Sequence, residues 1–341
     1  MEERLTAAGG ELAAVIRAGV ATVTLNRPSA LNALSLGMIE GLAAWLQEWR
    51  DDARVRTIVL RGAGEKAFCA GGDIRALYEG IKSGSALPER FFLAEYALDH
   101  AIHTYPKTIV AHMDGIVMGG GMGIGQGAAL RIVGDRTRMA MPETAIGLFP
   151  DVGGSYFLSR LPVALGRYLG LAGPTLRAAD AIYCGLADLD VGVAPPARGE
   201  IETLRPAIDE HFGHDSVEAI VASLEAEQHH VHVEWARKTV ETLAKRSPTM
   251  LEVTLEQLRR GAAMDLAACF RMELNLIHGC FEQGDFIEGI RALIVEKDNR
   301  PRWNPPTLAE VDRAAVARFF EPRWTSARHP LASLQQPART P

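Results

Sequence analysis

Eight of the chain's 33 glycines fall between Gly115 and Gly134. Glycine loses more conformational freedom on folding than any other residue, so this many in one stretch make neither a durable helix nor an ordinary strand. Their use is to let the main chain come close to something. The surrounding stretch, 109–133, is apolar but is broken by His112, Asp114 and Arg131 as well as by glycines. It therefore falls short of the roughly 18–20 uninterrupted apolar residues of a membrane span. Apolar residues make up 48% and charged residues 23% of 341, which places the chain among globular proteins and excludes wholesale disorder. The 36 basic and 42 acidic side chains give a net charge of −6, with no basic footprint for nucleic acid.

Length alone predicts about two domains. Residues 12–26 read as two short strands joined at Ala18-Gly19. Ser35 is the expected N-cap of a helix running to about Arg50, with Leu36, Ile39, Leu42, Ala43, Leu46 and Trp49 on its buried face. A buried strand over 57–60, a helix over 88–104, extended pieces around Asp114-Gly115 and a strand over 131–133 follow. Strands alternating with helices indicate an α/β fold, either ββα repeats or a doubly wound sheet. Beyond about residue 175 strand signals fade. Pro195-Pro196 marks a boundary, so 1–195 is read as an α/β core and 196–341 as a helical region. Helices are expected over roughly 200–211, 235–245, 249–260 and 265–283, with a loose tail carrying Pro330, Pro337 and Pro341.

Cys69, Cys184, Cys269 and Cys280 are scattered with no Cys-x-x-Cys pair, and the start, Met1-Glu2-Glu3-Arg4, offers no apolar secretory segment. Neither disulfides nor a zinc ribbon is expected, and the predicted location is cytoplasmic. His229, His230 and His232 lie close together but in a charged, surface-like stretch without a His-Glu-x-x-His motif, so no metal site is assigned.

Three stretches combine glycine with places where a backbone approaches a ligand. Phe68-Cys69-Ala70-Gly71-Gly72-Asp73-Ile74-Arg75 is a strand-to-helix loop, and Met118-Gly119-Gly120-Gly121-Met122-Gly123 opens a helix. Each can present a main-chain N–H to a developing oxyanion; the same glycines also serve tight strand–helix packing. The third, Met141 to Gly154, sets Glu143 and Asp151 among apolar residues and prolines. Such surroundings raise carboxyl pKa values and suit acid, base or nucleophile roles, although each carboxylate is equally placed to cap a helix start. Gly123-x-Gly125-x-x-Ala128 formally fits a dinucleotide fingerprint with Glu143 twenty residues on. That acidic residue should end a strand, whereas Glu143 follows Pro142.

At these stretches the chain resembles the crotonase (enoyl-CoA hydratase/isomerase) superfamily, and within it the branch that hydrolyses 3-hydroxyisobutyryl-CoA. The matching pieces are Asn26-Arg27-Pro28 with Leu31-Asn32-Ala33-Leu34, the 68–75 loop, Met118 to Gly121 and the run Met141 to Gly154. Further along, Lys245-Arg246-Ser247-Pro248-Thr249, Glu288 to Ala292 and Glu296-Lys297-Asp298 also match, so the likeness spans about 13–305.

The resemblance implies a crotonase-like spiral of ββα repeats with a helical C-terminal region that covers the site or mediates self-association, as trimers are common in the superfamily. It implies an acyl-CoA thioester as substrate, no separate cofactor, and neither nucleic acid nor membrane as partner. The oxyanion-hole amides fall on Gly72 and Gly120. Of the two glutamates by which hydratases activate water, one falls on Glu143 and the other on Gly123, which has no side chain. That departure favours hydrolase over hydratase; an isomerase of the same fold and a non-catalytic acyl-CoA or nucleic-acid binding module stand as the alternatives. In the hydrolase branch Glu143 is the principal carboxylate, Asp151 orients the 3-hydroxyl or leaving group, and Glu95 contacts substrate. Arg27 and a strand edge over 70–74, with Ala70, Asp73 and Ile74, are expected to hold the coenzyme A arm. The reaction belongs to valine breakdown, and the close 3-hydroxypropionyl thioester is a second expected substrate.

Overall fold

The computed structural model describes residues 2–193 and 198–334. The Pro195-Pro196 boundary lies outside the described residues, as do Pro337 and Pro341.

A seven-stranded sheet forms the spine, built from β1 (Glu2–Ala7), β2 (Leu12–Arg17), β3 (Val20–Leu25), β4 (Thr57–Gly62), β6 (Thr108–His112), β8 (Leu130–Val133) and β10 (Leu189–Asp190), in that spatial order. β1, β2 and β3 are antiparallel neighbours; from β3 onward the pairs are parallel. A second, three-stranded parallel sheet joins β5 (Ala67–Cys69), β7 (Ile116–Met118) and β9 (Arg138–Ala140). The expected hairpin turns at Ala18 (φ 52°) and Gly19 (φ 86°), the two positive-φ positions of a tight hairpin loop. Alternation along β2 and β3 turns Leu12, Ala14, Ile16, Ala21, Val23 and Leu25 inward.

Helix α1 (Leu36–Trp49) starts where Ser35 accepts the Met38 N–H at 3.2 Å. Its buried side chains are Met38, Ile39, Leu42, Trp45, Leu46 and Trp49, so the apolar face is shifted slightly from the expected one, with Leu36 and Ala43 only half-buried. Then come α2 (Ile74–Ser83), α3 (Leu87–His103), α4 (Gly120–Gln126), α5 (Gly154–Phe157), α6 (Val163–Ala172) and α7 (Ala178–Tyr183). The later part is helical: α8 (Glu200–His211), α9 (Val217–Glu225), α10 (Val233–Leu243), α11 (Pro248–Gly261), α12 (Leu266–Gln283), α13 (Asp285–Ile290) and α14 (Arg313–Phe319). α12 packs on α3 and α5, while α13 packs on α2 and on the 3-10 turn Glu143–Ile146.

Two expectations are corrected. Residues 70–74 are not a strand edge: β5 stops at Cys69 and Asp73 caps α2 through the Ala76 N–H at 3.2 Å. Glycines at 71 and 72 give the loop too little side chain to sustain a strand. The first strand, β1, is absent from the sequence reading because Glu2, Glu3 and Arg4 are exposed on a sheet edge, where charge protects unpaired backbone.

Asn32 ties the Asn26–Leu34 motif together. Fully buried, it donates to Ala63 O at 2.9 Å and Ala67 O at 2.8 Å and accepts the Arg27 N–H at 3.0 Å. Asn32→Leu, which strands three backbone groups, is expected to cost about 2–4 kcal/mol in denaturant unfolding; a change under ~0.5 kcal/mol would contradict this role.

Candidate active site

Glu143 opens its 3-10 turn directly behind Pro142, and Asp151 follows one short loop later; neither side chain caps a helix. Both instead face a cavity of about 160 Å³. That cavity is also lined by Ala70, Gly72, Ile74, Glu95 and Gly120, with Phe91, Phe92 and Ile294 as apolar walls. Seven of the nine residues singled out in the sequence thus meet in one place.

Two amides set the site's polarity. Gly120 is the first residue of α4, so its N–H belongs to the group that a helix leaves unpaired. The Leu34–Gly72 bridge runs through Leu34 N–H to Gly71 O (2.8 Å) and Asp73 N–H to Leu34 O (2.9 Å), leaving the Gly72 N–H outside the ladder. The two glycines are close: a Cβ on Gly120 would lie 3.4 Å from the Gly72 nitrogen and would run into Glu95 Oε1. Any side chain there would displace the Glu95 carboxyl.

Buried acids crowd in and behind the site. Glu95, Asp99, Glu143 and Asp151 are each 2–5% exposed. Burial pushes Glu143 well above the ordinary carboxylate range, helped by the charge of Asp151. Glu95 is raised in the same way, by burial first and then by Asp151 and Glu143. Burial takes Asp151 up to about 7, against the pull of the Tyr96 hydroxyl that donates to it at 2.9 Å. The cation bearing on Glu143 is Arg246, which donates to Ala172 O at 2.7 Å. A carboxyl that is neutral near pH 7 and one that is ionised make an acid–base pair.

The expected coenzyme A contacts divide. Ala70 and Ile74 line the cavity; Arg27 and Asp73 do not. Arg27 pairs with Asp73 and with Glu11, both at 2.9 Å, and donates to Ala33 O at 2.8 Å, so the pair holds the turn beside α2. Glu95, which reads by itself as a helix-surface residue, is buried in the site.

Several contributors carry no local signal. Glu273 on α12 accepts the N–H groups of Gly153 and Ser155, each at 2.9 Å. Gln257 on α11 donates to Pro150 O (2.6 Å) and Ser155 Oγ (2.8 Å). Together they clasp the turn that carries Asp151 from more than a hundred residues away. Asp99 lies one helical turn beyond Glu95, a spacing that puts both on one face of α3 and is visible in the sequence once Glu95 is suspected. The downstream motif residues are structural: Ser247 caps α11 and donates to Asp285 at 2.6 Å, and Arg291 pairs with Glu288, Glu296 and Asp298. Away from the cavity, Glu210, His211 and Glu227 bring ligand atoms within 4.8 Å of one another, but His211 is already bound to Glu227 (2.9 Å) and Ser223 (2.8 Å). Among the described residues no helix is long and apolar enough to cross a membrane.

A family model described as Enoyl-CoA hydratase/isomerase matches residues 20–194 and 189–320. A Danio rerio protein named 3-hydroxyisobutyryl-CoA hydrolase, mitochondrial, is 42% identical over 89% of this chain and 87% of its own. Arabidopsis thaliana 3-hydroxyisobutyryl-CoA hydrolase 1 is 36% identical over 89% and 90%. Among solved structures, a carnitinyl-CoA dehydratase from Mycobacterium thermoresistibile superposes with a TM-score of 0.86 at 40% identity, covering 92% of this chain and 96% of that one. An enoyl-CoA hydratase from Rhodobacter sphaeroides 2.4.1 gives 0.86 at 35% identity over 92% and 98%. The expectation of a cytoplasmic location is overturned, since the relatives from Danio rerio, Gallus gallus and Bos taurus are mitochondrial proteins.

Position 123 is closed to any side chain: a Cβ there would stand 2.6 Å from Asp99 Oδ2 and 2.7 Å from Val152 Cβ. Gly123→Ala is therefore expected to destabilise the protein by about 1–3 kcal/mol, read as a lowered thermal midpoint. An unchanged or raised midpoint would show that the space is open.

Proposed function

We infer that this chain, which belongs to the enoyl-CoA hydratase/isomerase family, is an acyl-CoA thioester hydrolase that cleaves 3-hydroxyisobutyryl-CoA to the free hydroxy acid and coenzyme A. The relatives' names supply the substrate. The observation that carries the chemistry is the filled space at Gly123, which leaves Glu143 facing the amides without the second glutamate of a hydratase.

In this reading the thioester oxygen sits between the Gly72 and Gly120 N–H groups, each donor worth roughly 3–4 kcal/mol at the transition state. Glu143 attacks the carbonyl carbon, or takes a proton from the water that does; coenzyme A leaves as the thiol. Asp151, held by Tyr96, orients the 3-hydroxyl or the leaving group, and Glu95 contacts the acyl part. Single turnover in oxygen-18 water tests the anhydride route: label in Glu143 marks a mixed anhydride opened by water at the glutamate carbonyl, which direct attack of water on the thioester cannot produce. The helical part after residue 196 acts as a cover, a reading supported by Ile294 in the cavity wall and by the Glu273 clasp. Self-association is supported by exposed apolar side chains at Ile182, Tyr183, Leu189 and Val191. The place of the reaction in valine breakdown and the use of 3-hydroxypropionyl-CoA belong to the same proposal. No separate cofactor enters the reaction as written.

The rival is the hydration chemistry named for the Mycobacterium thermoresistibile and Rhodobacter sphaeroides proteins. A thiol-release assay over a panel of acyl-CoA substrates decides between them. The wild type is expected to free thiol from 3-hydroxyisobutyryl-CoA, and Glu143→Gln to lose about 10²–10⁴ of that rate. Loss of enoyl-thioester absorbance with no thiol from any 3-hydroxyacyl substrate would overturn the hydrolase reading.

The raised carboxyls also set the pH profile. Their ionised form is the reactive one and appears only as pH climbs through the raised values, with Asp151 at about 7. Rate is therefore expected to rise between about pH 6 and 8, as a property of the Glu143–Asp151 pair. A rise completed by about pH 5, at the ordinary carboxylate value, would contradict it.

A further inference from the structure

Helix α3 carries Glu95, Asp99 and His103 at four-residue intervals, which sets them in a row about 5–6 Å apart on one face. Glu95 lines the catalytic cavity. Asp99 and His103 instead line a second cavity, of about 440 Å³, on the other side of Gly123 and Val152. Val152 faces both cavities. The outer rim of the second cavity includes Arg160, Gly185 and Asp188, all exposed, so it runs from the surface to the back of the catalytic acids. At its inner end Asp99 is 2% exposed, and neither carboxyl oxygen has a hydrogen-bond partner among the described residues. A buried carboxyl left without protein partners at the end of a roomy cavity calls for an explanation.

The hydrolase reading, on which the relay rests, supplies one. Each turnover converts a thioester and one water into a carboxylate, a thiol and one proton. While the acyl group and its pantetheine arm fill the front cavity, the proton needs another way out. We propose that the Glu95–Asp99–His103 face of α3 is a rear proton relay, with the second cavity as its outlet to solvent. A proton shed at the catalytic carboxyls is taken by Glu95, which passes one to Asp99 through a bridging water, since neither Asp99 oxygen bonds Glu95 directly. Asp99 passes one through cavity water to the His103 imidazole, which releases it at the rim. Each member takes one proton and gives one, so none is consumed.

The surroundings suit these roles. Facing Asp99 are Glu95 on its own helix, Asp151 from the catalytic turn and Glu273 from α12, all acidic; burial first, and then these charges, raise its carboxyl well above the ordinary range. His103 is held below the usual histidine value by partial burial and by the Arg160 guanidinium, so it gives up a proton readily.

The test uses the full chain with Asp99→Asn, His103→Ala and the double variant, following thiol release and, with an indicator dye, proton release. Each single variant is expected to lower kcat about tenfold with KM changed less than twofold, and the double variant to lose no more than the worse single one. Added imidazole is expected to restore the His103→Ala rate in a saturable way, which a purely structural role of His103 would not allow. Wild-type kcat in both single variants, losses that multiply in the double variant, or a slowed His103→Ala indifferent to imidazole would each overturn the relay. If Asp99→Asn does not fold, the imidazole response of His103→Ala decides alone. A wild type that frees no thiol overturns the hydrolase reading and the relay with it; an active wild type with indifferent variants overturns the relay only.

Discussion

Crowding of buried carboxyl groups is the constraint around which this molecule is arranged. Glu95, Asp99, Glu143 and Asp151 are all buried close to one another, and Arg246 is the cation that offsets Glu143. Isolated buried carboxylates are too costly to keep ionised, so most of these groups remain protonated near neutrality. The same neutrality makes them useful. A site facing two amide donors and holding both proton donors and a carboxyl poised near 7 has the parts for acyl transfer without further polar groups.

Holding such a cluster in place falls to the helices that arrive late in the chain. Glu273 is itself fully buried and raised to about 8 by that burial, yet it accepts two amides of the 153–155 turn. Gln257 reaches the same turn from α11. The α/β core therefore places the amides, and the helical part fixes the carboxyl opposite them. Neither half completes the pocket by itself, since Ile294 also closes its wall.

Much of this was legible from periodicity and caps. The apolar face of the 14-residue helix α1, its Ser35 cap and the hairpin at Ala18-Gly19 are local features that a reader of residues can find. Gly72, Gly120, Glu95, Glu143 and Asp151 came as a group from the motif likeness, and the fold brings all five to one cavity. What escaped depends on distance or on the environment. The three-residue strands β5 and β9 are too short for alternation to declare itself, and β1 is disguised by edge charges. Glu273 looks like any polar residue of an amphipathic helix until the 118–120 residues between it and its partners are closed by folding. Arg27 and Asp73, read as holding the coenzyme A arm, also pair with each other, a contact between residues 46 apart that only the fold makes visible.

The close approach of Gly72 and Gly120 underlies every step of the proposed chemistry, because a thioester carbonyl polarised elsewhere would not face Glu143. The most direct test is a crystal structure with a ketone analogue of 3-hydroxyisobutyryl-CoA, in which a methylene replaces the thioester sulfur. The expected result is a carbonyl oxygen within about 2.7–3.1 Å of both amide nitrogens, with the Glu143 carboxyl on the open face of the carbonyl carbon. A carbonyl oxygen bound away from these two amides, with the ligand otherwise ordered in the cavity, would contradict the account.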